Sequence, residues 1–329
     1  MKIVIVGSGP AGCAAAIALC RHGHKVVLVG DGKDGVGEQL QPAARPLLEK
    51  IGLDALPGQI ECVGIRSAWQ SSELAYQDFL SHPFGNGWLL DRPLFGRTLR
   101  DKAQQEGASL RQPSRLLNLT SKSDGRHHWK LQLTDGVEEC DWIVDATGRI
   151  GSVGRLLGVK RHRHDRCVAV VGWLSTDLQS DLDQTLVVEK SDGGWWYGCR
   201  LPDRRRVAGF VTHRSVSRHA WEMELRETIH LRALTEAYQL EGPLVTRPAD
   251  STILEQCYGN HWIAIGDAAV SYDPLASRGL HAALASGLET PSLIGGSSEK
   301  LAAWDHGLRQ SFAKYLAVRK RWLETDLKP

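Results

Sequence analysis

The chain has 329 residues, ample for a buried core in one large domain or two, and its 42% hydrophobic and 24% charged content argues against disorder. With 40 basic against 38 acidic residues the net charge is only +2, which gives no reason to expect a nucleic-acid partner. No apolar run approaches the ~18 residues of a membrane span. The first strand starts at Lys2, leaving no room for a signal peptide. Seven scattered cysteines form no Cys-x-x-Cys pair, so reduced thiols in a cytoplasmic protein are expected.

Lys2 to Val6 is an apolar, β-branched run that enters Gly7-Ser8-Gly9-Pro10-Ala11-Gly12, and an Ala-rich helical stretch to about Cys20 leads to a second apolar strand at Lys25 to Val29. A strand, tight turn, helix and strand are the setting in which Gly-x-Gly-x-x-Gly binds a dinucleotide. Gly7 permits the sharp turn, Gly9 lets a pyrophosphate approach the backbone, and Gly12 lets helix and strand pack closely. The helix start presents unpaired N–H groups and a positive dipole end to phosphate. The acid that normally binds the adenosine ribose about 20 residues on is missing. The second strand ends Val29-Gly30-Asp31, so either Asp31 is that acid displaced by one position or the contact is lost.

A loop to Gly37 leads through Glu38-Gln39-Leu40-Gln41-Pro42 into a helix with Ala43, Leu47, Leu48 and Ile51 at apolar positions. Short strands are expected between Cys62 and Phe79, a turn at His82 to Gly87, and a helix from Asp91-Arg92-Pro93 to near Gly107. Strands follow at Leu116 to Thr120 and Trp129 to Leu133, and a buried one at Asp141 to Gly148. Strands at Cys167 to Trp173, Thr185 to Glu189, Gly194 to Cys199 and Arg206 to Thr212 read as an antiparallel sheet. A helical stretch is expected from Arg218 to Gln239, then a strand at Trp262 to Ile265, a helix from Gly279 to Gly287 and a last helix from about Lys300 to Trp322. The basic tract Lys160 to Arg166 could take an acidic partner or a phosphate but reads first as a solvated loop, and its histidines lack the helical spacing of a metal site, so no metal is assigned.

Four separated motifs now stand together: the glycine turn at 7 to 12, Gly37-Glu38, Asp145-Ala146-Thr147-Gly148, and Gly266-Asp267-Ala268-Ala269 with Asp273-Pro274. Jointly they resemble the FAD-dependent monooxygenase and flavin-dependent halogenase superfamily. The resemblance implies an α/β fold, with a Rossmann-like FAD-binding domain of the glutathione-reductase type and an inserted, mostly antiparallel β-sheet substrate domain. The expected boundaries are 1–60, 84–160 and 250–295 for the FAD-binding domain, 61–83 and 161–249 for the substrate domain, and 296–329 for a C-terminal helix.

What the resemblance implies for the site is residue-specific. FAD would be held by Gly7, Gly9, Pro10, Ala11 and Gly12, with Asp31 towards the ribose, Glu38, Gln39 and Leu40 from the loop over the flavin, and Arg92 approaching the cofactor. Asp145, Ala146 and Gly148 would lie by the adenosine half. Gly266 and Asp267 would take the ribityl chain, and Pro274, Ser277, Gly279 and Leu280 would lie against the flavin ring. Departures from the family pattern are Gly30 in place of the ribose acid, Gly96 where relatives often carry aspartate, and a chain ending at Pro329, which suggests an open active site.

Gly194-Trp195-Trp196-Tyr197 resembles the Trp-rich strand of the halogenase branch. Yet the catalytic lysine of tryptophan halogenases is absent, and the corresponding region reads Arg66-Ser67-Ala68-Trp69-Gln70-Ser71. Together with Asn86-Gly87-Trp88 the pattern looks most like the flavoproteins needed for cysteine tryptophylquinone biogenesis in amino-acid oxidases. The implied activity is an FAD-dependent monooxygenase acting on an electron-rich aromatic, either a tryptophan of a precursor oxidase or an aromatic small molecule, with Trp69, Trp195 and Trp196 as substrate-side candidates. No second Gly-x-Gly-x-x-Gly is present, so NADH or NADPH binds transiently or a separate reductase supplies electrons. The alternatives are a flavin reductase of small molecules and a partner-binding maturation chaperone with weak flavin affinity.

Overall fold

A computed structural model of the chain describes residues 1–35, 39–121, 128–176 and 181–324. The fold is α/β, and the chain divides into two compact units, one made of Met1–Lys33, Thr98–His164 and Ser251–Pro329, the other of Asp34–Arg97 and Asp165–Asp250. Gly37 and Glu38 lie outside the described residues.

The first unit is built on a six-stranded sheet in the order Tyr258–Gly259, Trp262–Ala264, Trp142–Asp145, Lys2–Val6, Lys25–Val29, Ser109–Arg111. All its pairings are parallel except that of the short Tyr258–Gly259 edge. Near-continuous Val and Ile runs suit a parallel sheet buried on both faces, and Ile3, Val4 and Ile5 are fully buried. The helix Pro10–Arg21 follows the first strand and has its Cys13 to Ile17 segment wholly buried. It packs on the helix Gly279–Leu293, where a Cβ on Gly287 would stand 2.5 Å from Ala11 O and 2.9 Å from Ala15 N. Only glycine allows helices to approach this closely. The other face of the sheet meets a core that includes Trp129, Leu131, Cys257, Phe312 and Tyr315, so the helix Ser298–Glu324 is part of this unit's packing.

The second unit contains a seven-stranded sheet in the order Gln239–Pro248, Val168–Ser175, Arg206–Thr212, Gly194–Arg200, Thr185–Ser191, Gly64–Ala68, Ala75–Asp78. It is antiparallel except where Thr185–Ser191 pairs with Gly64–Ala68. Trp196, Phe210, Trp221 and Leu231 form the core on one of its faces. A separate three-stranded sheet joins Gln39–Leu40, Gly87–Leu89 and Ile60–Cys62.

The single helical stretch expected from Arg218 to Gln239 is instead two short helices, Arg218–Glu227 and His230–Thr235, and Gln239 begins the edge strand Gln239–Pro248. The break is at Thr228, whose backbone is extended. The buried carboxylate of Glu189 then accepts from the backbone N–H groups of Ile229 (2.6 Å), His230 (3.0 Å) and Leu231 (3.0 Å), and so begins the second helix. A cap supplied from a strand 40 residues away leaves no local signal. Gly242 and two prolines also mask the edge strand in the sequence. Glu189→Ala strands three N–H donors, and a loss of about 2 kcal/mol in chemical denaturation is expected.

Candidate functional site

In the first unit the three glycine-bearing motifs meet. A Cβ on Gly7, whose φ is +114°, would overlap the carbonyl of Ala146, and one on Gly12 would overlap the carbonyl of Gly7 and stand 3.3 Å from the Ala146 side chain. Gly266, at φ +56°, sets the Gly-Asp-Ala turn against the first helix, where an added Cβ would be 2.9 Å from that of Ala11. Its N–H is fixed by Ser286 Oγ at 3.0 Å. Ala11, Gly12, Ala146 and Gly266 are therefore neighbours. By contrast Gly9, Gly148 and Gly279 have nothing within 4 Å of an added Cβ, so space remains beside the start of each of two helices. Neither Pro10–Arg21 nor Gly279–Leu293 has a side-chain cap at its N-terminus, which leaves first-turn N–H groups available to an anion or carbonyl oxygen.

The two aspartates of the outer motifs differ in what is left of them. Asp145 is fully buried, and its carboxylate accepts from Thr147 N (3.1 Å) and Oγ1 (2.6 Å), Val153 N (2.9 Å) and Gly154 N (3.1 Å). Burial pushes this carboxyl above the ordinary carboxylate range, against the pull of those donors. Asp145 thus holds the turn that carries Ala146 and Gly148. Asp267 is partly exposed, with Oδ2 3.4 Å from Arg149 Nε. Arg149 also donates to Ser271 Oγ (3.2 Å) and the Tyr272 carbonyl (2.6 Å). Arg161 donates to the backbone carbonyls of Asp267 and Ala268 and to Thr252 Oγ1. The tract read as a solvated loop is in part the strand Arg161–Arg163, and Arg161 is turned inward because those carbonyls need donors.

Pro274 belongs to a short turn that leaves Ser277 in the left-handed region at φ +46° before Gly279 and Leu280 open the helix. Asp273 starts that turn, its Oδ1 accepting from Leu275 N at 2.8 Å and its Oδ2 held by Arg319 at 2.9 Å. Tyr315 donates to or accepts from Ser251 Oγ at 2.8 Å, and burial together with the Asp273 carboxylate pushes its phenol up to about 12. Asp31 is exposed, and one of its oxygens accepts from Lys33 N at 3.0 Å. Arg149, Ser286, Tyr315 and Arg319 were not singled out from the sequence, and Arg161 was read only as part of the basic tract. Arg149 alone had a local signal, adjoining Thr147-Gly148.

The remaining candidates are in the second unit. Gln39 Nε2 donates to Cys62 Sγ at 3.5 Å, whereas its Oε1, among the described residues, is buried without a donor. Leu40 is buried opposite Trp88 in the three-stranded sheet. Arg92 opens the helix Arg92–Gln105, which Asp91 caps through Leu94 N at 2.8 Å. Trp195 meets Trp69 edge-on at 6.3 Å and Tyr197 at 5.9 Å. Trp196, on the opposite face, is fully buried, stacked on Phe210 at 4.8 Å and edge-on to Trp221 at 5.1 Å. Strand alternation therefore makes Trp196 a core residue, while Trp69 and Trp195 share a different face.

The profile of a family described as "FAD binding domain" matches residues 1–284. The chain belongs to that family. The flavoprotein is 26% identical over 340 residues to "Putative FAD-dependent oxidoreductase LodB" of Marinomonas mediterranea, covering 97% of this chain and 91% of that one. Its fold matches the flavin-dependent halogenase CmlS with a TM-score of 0.79 at 23% identity, over 95% of this chain but only 62% of CmlS. It also matches the peptidyl tryptophan dihydroxylase QhpG, with a TM-score of 0.74 at 24% identity, over 95% of this chain and 72% of QhpG. The protein is an FAD-dependent oxidoreductase, and among its described residues no helix is long and apolar enough to cross a membrane.

The residues present fit the cofactor. A dinucleotide needs a backbone without side chains and helix N–H groups without caps, and the glycine cradle at 7 to 12 supplies both. The missing ribose acid has a steric cause, because a Cβ on Gly30 would overlap the side chain of Ser8. Gly30→Glu is therefore expected to lower the melting temperature by several degrees, a loss of ~1–3 kcal/mol. The double variant Ser8→Gly with Gly30→Glu should recover most of it in the same scan.

Proposed function

We propose that this flavoprotein is a monooxygenase that hydroxylates an indole, presented as a tryptophan side chain of a precursor oxidase. The observation that carries the reading is the aromatic cluster on one face of the seven-stranded sheet, where the half-buried Trp69 lies edge-on to the buried Trp195 and Trp195 is tilted against Tyr197, a setting suited to edge and face contacts with another indole. The similarity to LodB over most of both chains, and to a fold that in QhpG serves a peptidyl tryptophan dihydroxylase, supports it. Halogenation is disfavoured by the strand Gly64–Ala68, which has no lysine and whose cation Arg66 is committed to Asp183 (2.7 Å) and Thr185 Oγ1 (2.8 Å).

In this reading FAD supplies two-electron chemistry with oxygen, with NADH, NADPH or a reductase as the electron source. One oxygen atom replaces a ring hydrogen as hydroxyl, and the other leaves as water with the two donated electrons. The chain's own residues bind and orient. Gly7 to Gly12 and the helix start hold the pyrophosphate. Asp267 accepts from ribityl hydroxyls, and Arg149 lies beside that carboxylate with Nε 3.4 Å from Oδ2. The uncapped helix beginning at Gly279 favours negative charge on the reduced ring. Asp145 works behind the site by fixing the turn at Ala146.

Asp267→Ala is expected to weaken FAD binding by about tenfold, equivalent to ~1.4 kcal/mol, in a fluorescence-quenching titration. Full flavin occupancy in that variant would remove Asp267 from the site. The activity is tested by supplying the reduced holoprotein with air and a tryptophan-containing precursor segment, and following oxygen uptake and peptide mass. Oxygen atoms gained on tryptophan support the proposal. Electron transfer to a small acceptor without oxygen incorporation would replace it with a reductase.

A further inference from the structure

We propose that Arg319 and Tyr315, on the helix Ser298–Glu324, are positioning residues that set how the Asp273 to Gly279 turn meets the flavin ring. The inference rests on the FAD placement above. Nothing in the glycine, Asp-Ala-Thr-Gly or Gly-Asp-Ala-Ala motifs points to this helix, which lies beyond the matched family region at residues 1–284.

Asp273 is only 3% exposed, and both of its carboxylate oxygens are used. Oδ1 accepts from Leu275 N and shapes the turn, while Oδ2 accepts from Arg319 Nε at 3.1 Å and Nη2 at 2.9 Å. The Asp273 N–H donates to Tyr315 Oη at 2.9 Å, and that hydroxyl shares a second hydrogen bond with Ser251. Positions 315 and 319 are four apart and occupy one helix face. Tyr315 is in addition seated against Tyr272 at 4.9 Å, ring edge to face, and against Phe312 in the buried core. Backbone, carboxylate and preceding side chain of the turn are thus all gripped from one side.

The consequence travels along a short, stiff path. Asp273 determines the Pro274–Ala276 turn, the turn forces Ser277 to φ +46°, and Ser277 sets the direction in which the uncapped helix start at Gly279 points. A left-handed serine costs of order 1 kcal/mol and persists only when its surroundings enforce it. A small shift at Asp273 therefore re-aims N–H groups whose value to a ligand depends on direction.

The test compares Arg319→Met with Arg309→Met in the full chain. Arg309 is on the same helix and pairs with Asp305 (2.7 Å) and the Leu254 carbonyl (3.0 Å), so it controls for loss of helix docking. Both variants should lower the melting temperature of the FAD-free protein to a similar extent. Only Arg319→Met should weaken FAD binding about tenfold and shift the visible flavin bands, with Arg319→Lys recovering part of both. Tyr315→Phe, which deletes one oxygen, should produce the same spectral shift if Arg319→Met does not fold. Wild-type affinity and spectrum in Arg319→Met, or equal weakening by Arg309→Met, would overturn the inference. Wild-type protein without saturable FAD binding would overturn the site itself and this inference with it.

Discussion

The first helix can occupy its place only because its neighbours approach backbone to backbone. Gly7, Gly12, Gly266 and Gly287 each stand where a Cβ would collide with Ala146, Gly7, Ala11 or the helix backbone. The alanines of Pro10–Arg21 complete this arrangement, since Ala14, Ala15 and Ala16 are fully buried and demand little width. Close packing of this kind is unforgiving to added volume. It also explains why the same segment can serve a ligand. A helix seated by its sides needs no cap at its start, and this one has no side-chain cap there, as the proposed phosphate contact requires.

Electrostatics then divides labour between carboxylates that look alike in sequence. Asp145 is consumed by four donors and is structural in its direct effect, although it holds a turn of the site. Asp273 is likewise consumed, by Leu275 and Arg319. Asp267 differs in retaining solvent exposure, and its Oδ2 lies 3.4 Å from Arg149 Nε. Burial is what separates Asp145 and Asp273 from Asp267 here.

In the second unit the pleat makes the corresponding distinction. Consecutive tryptophans on one strand must face opposite ways, so Trp196 fills the core beside Phe210 and Trp221 while Trp195 joins Trp69 and Tyr197. Gly209 lies beneath the Tyr197 ring, where a side chain would overlap it. The same sheet buries an Arg206 guanidinium against Asp181 and Asp183, and it ties Arg66 to Asp183.

Local chemistry was enough to read the parallel β-strand, turn and helix at the N-terminus, because Val/Ile runs, glycines and an Ala-rich helix act within thirty residues of one another. Most strands of the antiparallel sheet were legible for the same reason, since alternation and turns are local. The edge strand Gln239–Pro248 and the break at Thr228 were not, because Glu189 supplies the cap from a distant strand. Nor were Arg149, Arg161, Tyr315 and Arg319, whose partners lie far along the chain and include backbone carbonyls that carry no side-chain signature. Residue identity determined what could bind a dinucleotide. Tertiary structure decided which carboxylates were buried among donors and which kept exposure, because burial and hydrogen-bond partners are set only when distant segments meet.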